Sequence, residues 1–276
     1  MIMKIVITGA SGQLGGMIIE RLLQTIPASR LVACVRKLES GSKWEKQGVE
    51  VRHCDYDQPE SLVKAFAGAS RLLLISSPHH DDTIRIRQHV HAVEAAKQAK
   101  VGHLLYTGFA FAEKGALSMT HLHLATEHAI MTTGIPYTFL RSGLYSDFIG
   151  SLGVKEAIET GELAVLPGDW SFNSVTRRDL ADAAAAVLAG EDHQNRTYEL
   201  ASASTWSFED LAEVLSELSG RPVSLTRNPE ILNWVYGFLS KIDTTSTSGD
   251  LERLLCRPAA SLKESVRELF PSGANI

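Results

Sequence analysis

Three cysteines in 276 residues, at Cys34, Cys54 and Cys256, are too few and too odd in number for a disulfide framework. None stands in a CxxC spacing, so neither a zinc site nor a redox pair is indicated. Cys34 and Cys54 fall in strand-like runs, where a thiol behaves as a small apolar group, and a reducing cytoplasmic setting is expected. Excess positive charge is also lacking: 27 basic against 32 acidic residues leave a formal net charge of −5. That balance argues against nucleic acid as a partner. No run of 18 or more apolar residues exists, so no membrane span is expected. Met1 to Lys4 leads straight into the first strand, with no stretch that reads as a signal peptide. Repeats and low-complexity segments are missing as well.

The first half of the chain alternates strand and helix patterns. Strands are expected at Ile5–Ile7, Leu31–Val35, Glu50–Cys54, Arg71–Ser76, His103–Thr107 and Tyr137–Leu140. Their apolar, non-alternating character indicates a parallel sheet with both faces covered. The fold class is therefore α/β, a Rossmann-type doubly wound parallel sheet with a smaller C-terminal substrate lobe. Residues 1–145 form the nucleotide-binding core, and 173–200 return to it. Residues 146–172 and 201–276 make up the lobe. Within these later segments Phe148–Glu159 reads as helical, and Leu163–Leu166 and Asn173–Thr176 as short strands. Arg177–Ala189, Phe208–Ser219 and Ser261–Leu269 read as helices, and Thr197–Leu200 as a strand. The Thr, Ser and Gly-rich stretch from Asp243 to Asp250 is expected to be a loop or a lid hinge.

The stretch TGASGQLGG, Thr8 to Gly16, directly follows the first strand and opens a helix. Gly9 permits a tight turn, Gly12 lets the backbone approach a pyrophosphate, and Gly15 allows close helix packing. The helix N-terminus then offers unpaired N–H groups and a positive dipole end to the anion. At the end of the second strand, where an NAD site usually has an acid, the chain has Arg36 and Lys37, with no carboxylate before Glu39. A guanidinium pairs with a 2′-phosphate that a carboxylate would repel. NADP(H) is the expected cofactor.

Four blocks carry a family resemblance: TGASGQLGG, CDYDQPESLVKAFAG (Cys54 to Gly68), YTGFAF (Tyr106 to Phe111) and GIPYTFLRSGLY (Gly134 to Tyr145). Together with SVTRRDLADAAAAVL and TWSFEDLAEVLSELSG, they resemble the NmrA-like branch of atypical short-chain dehydrogenases. Within that branch the likeness is to flavin-free bacterial NAD(P)H:quinone oxidoreductases and triphenylmethane dye reductases. The resemblance implies direct binding of NADPH and assigns residues to it. Gly9, Ser11, Gly12, Gln13 and Leu14 match the phosphate turn, and Arg36 the 2′-phosphate contact. Asp55 and Tyr56 fall near the adenine, and Ser76, Ser77 and Pro78 beside the ribose and nicotinamide. Thr107, Gly108 and Phe109 fall opposite the nicotinamide. Leu140, Arg141 and Ser142 match the segment at the floor of the cleft, with Ser142 replacing the Asn common in relatives.

No Tyr-x-x-x-Lys pair follows the fifth strand. Ketone reduction without a positioned acid would lose roughly 10²–10⁴-fold in rate, whereas a quinone yields a delocalised hydroquinone anion and a cationic dye needs no proton. The expected reaction is thus NADPH-dependent reduction of a quinone or similar conjugated, electron-poor acceptor by direct hydride transfer. The small molecule is the expected partner, and monomer and homodimer both stay open. The alternative is an NADP(H)-binding redox sensor without activity. His123 occupies the slot where isoflavone-reductase-like relatives keep a lysine and is the candidate catalytic proton donor. Tyr145, Phe148 and Trp170 are the candidate acceptor-stacking residues, ahead of Phe172, Trp234 and Phe238. His79-His80-Asp81-Asp82 reads as a helix cap rather than a metal cluster.

Overall fold

The computed structural model describes residues 3–270, so the last six residues of the expected lobe lie outside the described residues. Strand β1 (Ile5–Ile7) passes through the glycine turn into helix α1 (Gln13–Leu22), and β2 (Leu31–Val35) is followed by a short α2 (Ser42–Glu45). The alternation continues through β3 (Glu50–His53), α3 (Pro59–Phe66), β4 (Arg71–Leu74) and α4 (Asp82–Gln98). It goes on through β5 (Leu104–Phe109), α5 (Ser118–Met131) and β6 (Tyr137–Ser142). Next come α6 (Val154–Thr160), β7 (Glu162–Val165), β8 (Ser171–Phe172), α7 (Arg177–Ala189) and β9 (Arg196–Leu200). The central sheet has seven strands in the order β3-β2-β1-β4-β5-β6-β9, and every pairing in it is parallel. This is a Rossmann-type arrangement, with the order reversing between β1 and β4, where such sheets open a ligand crevice at the strands' carboxyl ends.

Two apolar layers cover the sheet. On one face Ile18, Ile19 and Leu22 of α1 meet Leu180, Ala184 and Leu188 of α7 over Ile5, Ile7 and Leu73. The alanines of α7 let it lie close to α1, and Arg21 pairs with Asp182 across the contact. On the other face α3, α4 and α5 cover Val6, Leu72, Leu74 and Tyr106. Caps fix where the helices start. Asp81 accepts from Thr83 N–H ahead of α4, and Thr176 accepts from Asp179 N–H ahead of α7. The first of these resolves the His79–Asp82 run, in which His79 Nδ1 also accepts from Asp81 N–H.

The remaining elements are β10 (Trp206–Ser207), α8 (Phe208–Ser219), β11 (Ser224–Arg227), α9 (Trp234–Leu239), α10 (Asp250–Leu255) and α11 (Leu262–Glu268). A third apolar cluster gathers Leu144, Ile149, Val154, Phe172, Phe208, Leu211, Val235 and Val266 beside the sheet's carboxyl edge. Strand β7 pairs with β11, and β8 with β10. No helix among the described residues is long and apolar enough to cross a membrane.

Local details depart from the sequence pattern. The expected helix over Phe148–Glu159 is broken at Gly153, whose φ of +78° separates a 3-10 turn, Ser146–Leu152, from α6. The expected strand Asn173–Thr176 is only a single bridge between Val175 and Tyr145, and β8 lies just before it. Asp243–Asp250 is a loop that is tied down rather than a free hinge. Asp243 accepts from the Thr245 and Ser246 N–H groups, and Lys114 donates to Ser246.

Candidate functional site

The turn after β1 is a cradle built by its own backbone. Gly9 has a φ of +61°, a left-handed conformation that favours glycine, and Gly12 N–H closes the turn on Gly9 O at 2.9 Å. A Cβ on Gly12 would stand 3.2 Å from that carbonyl, and one on Gly15 would collide with it. Gly15 is therefore needed so that α1 can begin against the turn itself. Trp44, buried behind the loop, donates Nε1–H to Ala10 O at 3.0 Å and fixes it from outside. Helix α1 has Gly12 as its N-cap and no side-chain cap, so its first N–H groups face the opening.

This turn forms one wall of a cavity of about 540 Å³ along the carboxyl ends of β1, β2 and β4. Of the residues assigned to the cofactor, Gly9, Ser11, Gly12, Gln13, Leu14, Arg36, Asp55, Tyr56, Ser76, Ser77, Pro78 and Thr107 all line it. Arg36 is exposed and pairs with no carboxylate among the described residues, which leaves its guanidinium available at the end of β2. The Tyr56 hydroxyl lies 2.7 Å from both Thr8 Oγ1 and Ile75 O. Burial raises its pKa well above the ordinary phenol value, so Tyr56 acts as wall and brace. Ser76 N–H donates to Thr107 Oγ1 at 2.9 Å, locking the β4 exit to β5. Cys34 and Cys54 also line this cavity, a place no sequence cue indicated.

A second cavity, about 410 Å³, continues from the first. Ser76, Arg85, Thr107, Tyr145 and Arg177 line both, so no wall separates the two. Of the expected site residues, Gly108, Phe109, His123, Ser142, Tyr145 and Phe148 lie here, beside Met119, Trp234 and Phe238. Arg177 holds its guanidinium 4.1 Å over the Tyr145 ring and pairs with Asp147 at 3.0 Å.

His123 belongs to a buried hydrogen-bonded chain with His89, Thr126 and Tyr106. Ser77 N–H donates to His89 Nε2 at 2.8 Å, so the His89 proton sits on Nδ1 and is donated to Thr126 Oγ1 at 2.9 Å. Thr126 gives its own hydrogen to Leu122 O. The Tyr106 hydroxyl lies 2.8 Å from His123 Nδ1, and when it donates there the His123 proton sits on Nε2. Burial, aided by the Arg85 charge, lowers the His123 pKa to about 3. The ring is therefore neutral at physiological pH, where it can donate a hydrogen bond but holds no extra proton to give up. Its Nε2 has no partner among the described residues, yet is not fully buried, so it opens to the cavity.

Three expected site residues lie elsewhere. Leu140 points into the core between the sheet and α7. Arg141, on the opposite face of β6, makes a bidentate pair with Glu127 at 2.7–2.9 Å and reaches Glu199 and Glu113 at 2.8 Å. Strand alternation turns Arg141 away, while Leu140 shares the face of Ser142 but lies further back from the strand's carboxyl end, under α7. The Arg141–Glu127 pair has its own use: it packs against Gly108, where a Cβ would lie 2.8 Å from Glu127 Oε1. Trp170 donates to Leu166 O and packs on Phe172 and Tyr236, lining a separate surface depression. Arg85, Met119 and Arg177 were not legible as site residues. Helical periodicity marks the buried face of α4 or α7, and says nothing of what stands opposite it.

Fold and site together define a nucleotide-binding domain of the Rossmann class whose phosphate cradle runs into an aromatic-lined acceptor cavity. The chain belongs to the NmrA-like family, whose model matches residues 1–237. It is 35% identical to quinone oxidoreductase 2 of Escherichia coli K12, over 96% of this chain and 98% of that protein. Among solved structures it is similar to the Citrobacter triphenylmethane reductase complexed with NADP(H), with 46% identity and a TM-score of 0.89 over 96% of this chain and 99% of that one. It is also similar to the E. coli NADPH-dependent quinone oxidoreductase complexed with NADPH, with 34% identity and a TM-score of 0.86 over 96% and 99% of the two chains.

Proposed function

We propose that this chain is an NADPH-dependent reductase that delivers a hydride directly to quinones or similar conjugated acceptors, with no flavin between donor and acceptor. The observation that carries this reading is the continuity of the two cavities through Ser76, Thr107 and Tyr145. Relatives with quinone and dye reductase activity in their names, and bound NADPH in their structures, support it. When bound, NADPH supplies the hydride. The chain itself binds and orients. The Gly9–Leu14 turn and the α1 N-terminus would hold the pyrophosphate, Arg36 the 2′-phosphate, and Ser76, Ser77 and Thr107 the strand ends nearest the reacting ring. Phe109, Tyr145, Phe148 and Phe238 would hold a flat acceptor against that ring, so that the rate comes mainly from alignment. The division into a nucleotide core and an acceptor lobe built on the third apolar cluster belongs to the same reading, as does a cytoplasmic setting, which the free thiols suit.

The test is NADPH oxidation followed at the nicotinamide absorbance, with a panel of quinones and purified protein whose spectrum is checked for flavin. Oxidation by flavin-free protein supports the proposal. NADPH binding without oxidation of any acceptor would replace it with a redox sensor. Arg36→Ala should raise the Kd for NADPH about 100-fold and that for NADH less than about 2-fold, since one charge-assisted fork is lost. Equal losses in the two titrations would remove Arg36 from the 2′-phosphate.

Trp234 stands 73% exposed at the rim of the acceptor cavity, with its ring centroid 6.4 Å from that of Phe238. Trp234→Ala is expected to raise KM for a two-ring naphthoquinone about 3- to 10-fold, as loss of one aromatic contact implies. The KM for a one-ring benzoquinone, measured in the same assay, should hardly move.

A further inference from the structure

The acceptor cavity holds two polar groups that the alignment of rings does not use. Arg85 projects from α4 with Nε donating to Ser77 O and Nη1 to Asp82 Oδ1, both at 2.9 Å. Its Nη2 has no partner among the described residues and is not sealed from the cavity. His123 lines the same space, and Nε2 carries its proton when Tyr106 donates to Nδ1. Both side chains are thus held by neighbouring groups and line one cavity. The lining has one carboxylate, Asp147, and Arg177 already occupies it. The other formal charges in this lining are the cations Arg85 and Arg177.

We propose that Arg85 Nη2–H and His123 Nε2–H form a donor pair for the acceptor's carbonyl oxygen, and that the site is built for neutral acceptors that become anions. This rests on the reductase reading above. A neutral quinone takes up a hydride and becomes the hydroquinone monoanion, while NADPH becomes NADP⁺. The two transferred electrons leave a full negative charge on an oxygen, and a proton from water later completes the hydroquinone. Donors already placed where charge develops favour that step without reorganising. His123 serves better neutral than charged, since it can donate without itself carrying a proton away. A cationic triphenylmethane dye, by contrast, loses its charge on reduction and gains nothing from the pair. Beside Arg85 and Arg177 such a dye is disfavoured from the start.

The experiment compares wild type with Arg85→Met and His123→Phe in two assays. In the first, 4-nitrophenolate is titrated into the protein, alone and with NADP⁺, and followed by its visible absorbance. The neutral isostere 4-nitroanisole competes as the control. The expected result is at least about 10-fold weaker phenolate binding in each variant, with anisole affinity within about 2-fold. In the second, kcat for benzoquinone should fall about 10²-fold, while kcat for a cationic dye changes less than about 3-fold. Should Arg85→Met not fold, Arg85→Lys is read instead, because it keeps the charge and loses the fork that holds Ser77 and Asp82. Its phenolate affinity should then lie below wild type. Parallel losses for phenolate and anisole, or for quinone and dye, would reduce the pair to structural supports and overturn the proposal. If wild type reduces no acceptor at all, the reductase reading fails. The donor pair then stands or falls on the phenolate titration, where equal affinities across the variants refute it.

Discussion

Arg141→Met is expected to destabilise the protein by about 3–5 kcal/mol, because it strands the buried carboxylate of Glu127. Arg141 is held by both oxygens of Glu127, and a second carboxylate, Glu199, receives its Nη1 while accepting from Phe111 N–H. Three strands and helices meet there: β6 through Arg141, α5 through Glu127 and β9 through Glu199. Removing the guanidinium leaves three acids, Glu127, Glu199 and Glu113, without the cation they share. The loss should depend on pH in a definite direction. Burial already raises the Glu127 pKa despite the pairing, and without Arg141 it would rise further. A group whose folded pKa lies above its unfolded value loses its contribution as pH rises through that folded pKa. The variant should therefore lag wild type more at pH 8 than at pH 5. Thermal unfolding at the two pH values reads this directly, with a Tm deficit on the order of 10 °C at pH 8. If Arg141 belonged to the cofactor site, as the strand's position in sequence suggests, Tm would hold and NADPH affinity would drop instead.

Acid should unfold this protein well before its carboxylates titrate. His89 and His103 have pKa values lowered to about 4, and His123 to about 3, in each case chiefly by burial. In the unfolded chain all three would titrate near 6.5. Between about pH 6.5 and 4 the unfolded state binds protons that the folded state refuses, so stability rises with pH across that window and falls as pH drops. Each histidine contributes a slope of up to about 1.4 kcal/mol per pH unit. The three together amount to roughly 6 kcal/mol lost by pH 5, a large part of the total stability of an ordinary domain. Urea midpoints measured from pH 7.5 to 5 should fall steeply below 6.5. His103 offers a clean control, because it lies at the far end of the sheet, paired with Thr138. His103→Gln should flatten the curve by about a third and leave NADPH binding unchanged. A midpoint that stays level from pH 6.5 to 5 would show that these rings accept protons in the folded state.

The glycines of Thr8–Gly16, the places of the first six strands along the chain and Arg36 at the end of β2 were determined by the sequence alone. They depend on backbone freedom, on periodicity and on charge at a fixed offset, which are properties of neighbouring residues. The roles of Leu140, Arg141 and Trp170 were decided only by tertiary structure. Adjacent residues of a strand face opposite layers, so a segment that reaches the crevice sends just one of two side chains into it. The same holds for Arg85 and for the neutral state of His123. Burial, the nearby guanidinium and the Tyr106 hydroxyl all come from parts of the chain brought together by packing, and no local pattern encodes a dielectric environment.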